Sequence, residues 1–460
     1  MQAAHVPLQP DTRQHDIGPQ RIAVIGAGIS GLSCAWLLSQ RHDVTLFEAG
    51  DRLGGHAHTV EVETPRGPIP VDMGFIVYNE VNYPNLTALF KHLSVPTKFA
   101  DMSLAISLDD GQLEYGSKSL ASLFAQPGAW LRPRFWSMLR DLHRFYRTAP
   151  GHLATLDPVV SLSDYLRENG YGAALSQDHL LPMAAAIWSA SIEGAGEHPA
   201  AAFIRFFENH DLLRFVGRRS WRTVDGGSRR YVESLERAFN GRLRLSARIQ
   251  AVHRTEDGVR IVEADGRETS FDQVVFATHA PTTLSLLADA DAREKALLGA
   301  FRYTTNQVVL HRDRRLMPQR RRAWASWNHL GRRDDPASGC VSYWMNHLQS
   351  LPQTPPLFVT LNPHIQPRAE LVHEVRSFEH PHYDAAALTA QRDLWALQGV
   401  RRAWFCGAWF GAGFHEDGLQ SGLAVAEQLG GVRRPWTVDD ESGRIFAGPG
   451  PGLVEFARAA

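Results

Sequence analysis

Three cysteines in 460 residues, Cys34, Cys340 and Cys406, stand far apart and in no CxxC spacing. That scarcity argues against a disulfide framework and against a zinc site, and makes a reducing cytoplasm the expected compartment. Lysine is almost as rare: Lys91, Lys98, Lys118 and Lys295 are four of 48 basic residues, the others being arginine. Those 48 stand against 49 acids, a formal net charge of −1, so the basic excess of a nucleic-acid surface is missing. No run approaches the roughly eighteen apolar residues of a spanning helix. The first twenty residues are polar and lack the apolar stretch of a secretory signal. These absences leave room for peripheral contact with the inner face of a membrane.

What is present is enough apolar material, 44% of the chain, for more than one core, and the length predicts at least two compact units. Residues 1–20 read as a disordered leader. Residues 21–60 read strand, helix, strand. Residues 115–150 and 160–210 carry Trp, Phe and Leu at helical spacing. Residues 243–277 read as strands around the turns Asp257-Gly258 and Asp265-Gly266, and 301–312 and 339–361 alternate like strands of a second sheet. Residues 402–430 read strand, glycine-rich loop, helix.

The most informative segment is the first. Arg21 to Ile25 is a short apolar strand that runs into Gly26-Ala27-Gly28-Ile29-Ser30-Gly31, a GxGxxG. A helix-like stretch, a second strand and Glu48 follow. Gly26 permits the tight turn, Gly28 lets backbone approach a pyrophosphate, and Gly31 lets helix pack on strand. The helix N-terminus, with Ile29 and Ser30, offers N–H groups and a partial positive charge to phosphates. Glu48 stands 22 residues after Gly26, where an acid accepts bonds from ribose hydroxyls and disfavours a 2′-phosphate.

Past Glu48 the chain reads Ala49-Gly50-Asp51-Arg52-Leu53-Gly54-Gly55-His56. With its second glycine pair this resembles the extended FAD motif of the flavin-containing amine oxidase and phytoene desaturase superfamily. The resemblance implies that Ala49, Arg52, Gly54 and Gly55 follow the cofactor from ribose to ribityl chain, with His56 where the family often has arginine. Later segments are similar to the family in the same order. They are Asp72-Met73-Gly74 after a hairpin, Val224-Asp225-Gly226-Gly227, the strand around Ile249 that would contact adenine, and the strand ending at Ala277-Thr278. Last come Cys406-Gly407-Ala408 and Gly418-Leu419-Gln420-Ser421-Gly422. Met73, Gly74, Ile249, Ala277, Gly407, Gly418 and Leu419 are the FAD contacts so implied. The expected fold is α/β, a Rossmann-like FAD-binding domain of glutathione-reductase type with a discontinuous α+β substrate domain. The FAD-binding domain is expected at 21–80, 215–290 and 395–438, the substrate domain at 81–214 and 291–394, and a tail at 439–460.

His415 and Glu416 lie just before the flavin-facing helix and are the candidate catalytic acid/base pair; the alternative is that Glu416 and Asp417 cap that helix. Tyr78, Trp327, Trp344 and Asn346 are candidate pocket residues, with core packing as the alternative. Leu131, Phe135, Met138, Leu139, Leu142, Phe145 and Tyr146 form a helical stripe with arginines interleaved, either an interfacial helix or a buried face. Cys406 reads as a small buried residue ending a strand rather than a flavin anchor. The family's amine oxidases carry a lysine in the strand resembling Tyr303 to Leu310, and none stands here.

The phrases LGGHAHT, VDMGFIVYN, TNQVVLH and GFHEDGLQSG resemble a narrower bacterial group of NAD/FAD-binding oxidoreductases associated with cyclopropane-fatty-acid-synthase-like methyltransferases. That resemblance implies an FAD-dependent oxidoreductase or desaturase acting on fatty acyl chains, with hydride passing to flavin in a dry apolar pocket. It also implies a lipid methyltransferase as partner. The alternatives are an amine, carotenoid or porphyrinogen oxidase on the same fold, or a non-catalytic FAD-bound partner of the methyltransferase.

Overall fold

The computed structural model describes residues 18–448 except 158, 189–191, 215–218 and 336–338. Most of the expected leader and the end of the expected tail lie outside the described residues. Arg21–Ile25, buried from Ile22 onward, is the central strand of a five-stranded parallel sheet. Across that sheet the order is Ala403–Phe405, Gln273–Phe276, Arg21–Ile25, Asp43–Phe47, Arg242–Arg244. Strands buried on both faces read as unbroken apolar runs, and Ile22-Ala23-Val24-Ile25 and Val274-Val275-Phe276 are such runs. A three-stranded antiparallel sheet, Ile249–Arg254, Val259–Glu263 and Glu268–Phe271, is appended to this unit.

One layer above the parallel sheet, helix Ile29–Leu38 packs against helix His415–Gly430. Every residue of the first is buried. A Cβ on Gly422 would fall 2.2 Å from the Ser30 carbonyl oxygen, so the two backbones meet directly there. The mixed α/β architecture with its parallel sheet is as the sequence predicts.

A second sheet has seven strands, in the order Val372–His382, Arg302–His311, Phe358–Leu361, Cys340–Trp344, Trp327–Gly331, Leu104–Leu108, Leu113–Gly116. The alternating segments at 301–312 and 339–361 supply its middle. Leu104–Leu108 and the edge strand beside it, Leu113–Gly116, were not legible, because both are largely buried and show no alternation. Against it stands a helical layer containing Pro133–His152 and Leu181–Trp188. Five members of the predicted stripe, Phe135, Met138, Leu142, Phe145 and Tyr146, are buried core on Pro133–His152, Leu139 is partly buried, and Leu131, just before the helix, is exposed. Among the described residues no helix is long and apolar enough to cross a membrane.

Candidate active site

A cavity of about 590 Å³ runs between the two sheets. At one end the glycine loop forms its wall. Gly26 has φ +103, and a Cβ there would sit 2.8 Å from the Ala277 carbonyl, so only glycine fits. The Gly26 amide donates to the Phe47 carbonyl at 2.8 Å, which ties the turn to the neighbouring strand. Gly28 is different. Its backbone is extended (φ −69, ψ −179), a conformation open to any residue, and a Cβ there would meet nothing within 4 Å. Neither conformation nor the packing of this chain calls for glycine at 28. The reason lies in what the cavity holds, at the N-terminus of helix Ile29–Leu38, where the first N–H groups have no partner within the helix.

Gly26, Gly28, Ile29, Ser30, Glu48, Gly54, Gly55, His56, Met73, Gly74, Ala277 and Gly407 all line this one cavity. Glu48 braces the loop, its Oε2 accepting from Ala27 N–H at 2.9 Å and its Oε1 from Gly50 N–H at 2.8 Å. The Gly54 amide donates to the Ala27 carbonyl at 2.8 Å, which draws the second glycine pair onto the first. These groups fit the diphosphate and ribose of a dinucleotide.

Six sequence candidates for the cofactor do not reach the cavity wall. Gly31 packs helix on strand, since a Cβ would lie 1.9 Å from the Gly26 carbonyl oxygen. The Arg52 guanidinium folds back onto the carbonyls of Leu53, Ala57 and Gly55 and so holds the loop. Gly418 rests against Ser30 and Ile29, and Leu419 is fully buried, so both serve the contact between helices. Ala49 and Ile249 also lie off the wall.

His415 does line the cavity. Its ring stacks on Phe75 with centroids 3.8 Å apart, and its Nε2 lies 2.7 Å from the Tyr231 hydroxyl. Glu416 does not. The helix begins at His415, and its turn sends the next side chain the other way, toward the N-terminus of helix Pro84–His92. There the buried Glu416 carboxylate accepts from Asn85 N–H at 3.0 Å, Leu86 N–H at 2.9 Å, the Asn85 amide at 2.9 Å and Gln420 at 3.0 Å. It caps a helix 330 residues away in sequence, and burial raises its pKa above the ordinary carboxylate value. The catalytic assignment for Glu416 is therefore corrected. Asp417 is the cap of its own helix, accepting from Phe414 N–H at 2.7 Å.

Of the four pocket candidates, Trp327 lines the cavity. Tyr78 is 2% exposed, held edge-on against Phe90. Trp344 packs edge-on against Trp324, its Nε1 donating to Asn346 Oδ1 at 3.1 Å. Asn346 spends its remaining bonds on the loop beyond it, donating to the Pro355 carbonyl at 2.9 Å and accepting from Leu357 N–H at 2.7 Å. These three hold the fold. Cys406 is fully buried against Cys34.

Sequence reading missed a histidine cluster on the same wall. His56 Nε2 donates to the Glu379 carbonyl at 3.1 Å, which leaves Nδ1 as its acceptor. His279 Nδ1 lies 3.0 Å from the Glu379 carboxylate, and His380 Nδ1 accepts from the Asn306 amide at 2.7 Å. Ring centroids of His56 stand 6.0 Å from His279 and 5.6 Å from His380. The run Phe378-Glu379-His380-Pro381-His382 was the available signal, on a strand whose partner Arg302–His311 was already identified.

Burial pushes His56 and His415 down to about 3 and lowers His380, with charge on neighbouring histidines adding to each shift. In the unfolded chain these rings protonate near pH 6.5. Their contribution to stability is complete above about pH 6.5 and is lost as pH falls through that value toward about 3. Thermal unfolding followed from pH 8 to 4 will fall more steeply below pH 6.5 in the wild type than in His415→Asn. Parallel curves would show that the folded chain protonates His415 freely.

A family model described as flavin containing amine oxidoreductase matches residues 29–323. A carotenoid phi-ring synthase from Chlorobaculum tepidum is 28% identical over 155 residues, 32% of this chain and 22% of that protein. An L-amino acid oxidase from Bothrops pictus is 23% identical over 295 residues, 59% of this chain and 51% of its own length. The chain thus spans about a fifth of one curated relative and about half of the other. The crystal structure of a fatty acid isomerase from P. acnes that produces CLA superposes with a TM-score of 0.61 at 15% identity, covering 89% of this chain and 98% of that one, a likeness of fold. FAD is the group that the glycine loops, Glu48 and Gly407 fit, and the chain belongs to the flavin-containing amine oxidoreductase family.

Proposed function

We propose that this chain is an FAD-dependent oxidoreductase acting on a lipid-like substrate, a fatty acyl chain, which it oxidises or desaturates. The observation that carries the reading is the cavity wall opposite the glycine loop. It is built by Met102, Leu104, Met183, Ala186, Ile187, Val308, Trp327, Tyr343 and Leu361, from the seven-stranded sheet and the helical layer. Among the described lining residues there is no Lys, Arg or Asp, and the two carboxylates, Glu48 and Glu379, stand at the glycine loop and the histidine cluster. An ammonium substrate would be desolvated against that wall with no countercharge, at a cost of several kcal/mol. A neutral chain gains about 0.8 kcal/mol per methylene buried.

Two side chains that line the cavity, Trp327 and Tyr383, carry donors, Nε1 and Oη, that are buried and without a hydrogen-bond partner among the described residues. They suit a carbonyl or carboxylate oxygen of an acyl group. FAD supplies the two-electron acceptor. Of the imidazoles that line the cavity, His56 and His415 are held neutral by burial, and His279, its Nδ1 3.0 Å from the Glu379 carboxylate, is placed to take the proton.

A second reading, amine oxidation, is favoured by the family itself. Anaerobic titration of the purified flavoprotein discriminates them. Phospholipid vesicles with unsaturated or methylated chains are expected to bleach the flavin, while an amine panel and NADH leave it oxidised. Bleaching by amines alone would replace the lipid reading. A flavin reduced by none of these would point to a scaffolding role beside a lipid methyltransferase.

A further inference from the structure

Outside the cavity, the largest departure from ordinary surface chemistry lies at the start of the helical layer. Leu120 is 76% exposed, Leu131 66%, Trp130 60% and Trp136 51%. They form one patch. The Trp136 Nε1 donates to the Trp130 carbonyl at 2.7 Å, and the Trp136 ring lies 6.1 Å from that of Phe124, one turn beyond Leu120. Core packing does not explain them. The buried face of helix Pro133–His152 takes Phe135 and Met138 and leaves Trp136 on the other side.

The charge around the patch has one sign. From Tyr115 to Arg140 the chain has no Asp or Glu and carries Lys118, Arg132, Arg134 and Arg140. The turn Arg321–Ala323 packs against helix Leu120–Leu123 and adds Arg321 and Arg322, both exposed. Arg134 is taken up by Asp178 at 2.7 Å and Arg140 pairs with Asp141 at 3.5 Å, while Lys118, Arg132, Arg321 and Arg322 remain at the surface. Arg321 also sits over the Trp324 ring, 4.8 Å from its centroid.

We propose that this patch docks the protein on an anionic phospholipid surface. The two indoles sit at headgroup depth, with their rings in the apolar boundary and their N–H groups toward polar atoms. Leu120 and Leu131 bury their methyls just below, and the surrounding arginines meet lipid phosphates. A protein partner would be expected to present carboxylates among apolar groups in fixed register. A fluid anionic surface needs no such register, and it matches the exposed basic side chains around the patch. The net charge of −1 makes the local basic excess a property of this face and not of the whole chain. The inference is independent of what the cavity oxidises.

Sedimentation of the flavin-loaded protein with vesicles tests it, using phosphatidylglycerol mixed into phosphatidylcholine and phosphatidylcholine alone. Binding is expected to the mixed vesicles, weakened at least tenfold between low and about 0.5 M salt. It should be weakened similarly in a Trp130→Ser, Leu131→Ser, Trp136→Ser triple variant that keeps its flavin absorbance and unfolding midpoint. Arg322→Glu should weaken binding without touching the apolar residues. Equal binding by wild type and both variants would overturn the proposal. So would sedimentation of the wild type as a dimer that the triple variant abolishes, which would make the patch an interface between copies.

Discussion

Gly28→Val yields a folded, colourless protein. Valine prefers the extended backbone that residue 28 already has, and its Cβ meets no atom of the chain within 4 Å. Its methyl groups instead project into the cavity where phosphate oxygens must approach the helix N-terminus. We expect flavin content to fall at least tenfold while the unfolding midpoint of the apoprotein changes by no more than about a degree, the equivalent of a few tenths of a kcal/mol. The paired control is Gly31→Val, whose Cβ would collide with the Gly26 carbonyl oxygen at 1.9 Å and with the Ala277 Cβ at 2.8 Å. That variant loses flavin because it loses the fold, and circular dichroism separates the two cases. Retention of flavin by Gly28→Val would displace the cofactor from the position given to it.

Glu416→Ala is expected to cost about 3–5 kcal/mol of stability, since it leaves two buried backbone N–H groups of helix Pro84–His92 without their acceptor and removes one of the two acceptors of the Asn85 amide. Nearby, the Arg434 guanidinium donates to Asn85 Oδ1 at 2.8 Å and pairs with Glu427, so the loss falls on a charged network that joins helix Pro84–His92 to the segment after helix His415–Gly430. Glu416→Gln keeps an amide oxygen for one pair of donors and should lose about half as much. The decisive readout is anaerobic flavin reduction in the Gln variant. A helix cap predicts an unchanged rate in whatever fraction folds. A catalytic acid predicts full stability and a dead enzyme.

The glycine loop was legible because its chemistry is local. Strand, GxGxxG, helix, strand and acid must follow one another within about thirty residues, and each glycine has its own geometric reason. The seven-stranded sheet was legible in its middle, at Arg302–His311, Cys340–Trp344 and Phe358–Leu361, while Leu104–Leu108 is buried almost throughout and reads as any short apolar run. Glu416 was misplaced for a different reason. Adjacency to His415 located it at the right helix end, but successive helical residues point about 100° apart, and nothing local announces that Asn85 awaits on the other side. Trp344 and Asn346 likewise satisfy each other two residues apart, a contact invisible to composition. His56, His279 and the adjacent pair Glu379-His380 come from three separate segments and converge only in space.

All three cysteines are buried, and burial raises the thiols of Cys34 and Cys340, the latter to about 11. The cavity, by contrast, is lined by the thioethers of Met73, Met102 and Met183. Oxidative wear on this protein is thereby steered away from sulfenic acids and mixed disulfides and toward methionine sulfoxide. Each such event would place a polar, chiral group in the apolar wall and age the pocket itself, while leaving the scaffold around it untouched.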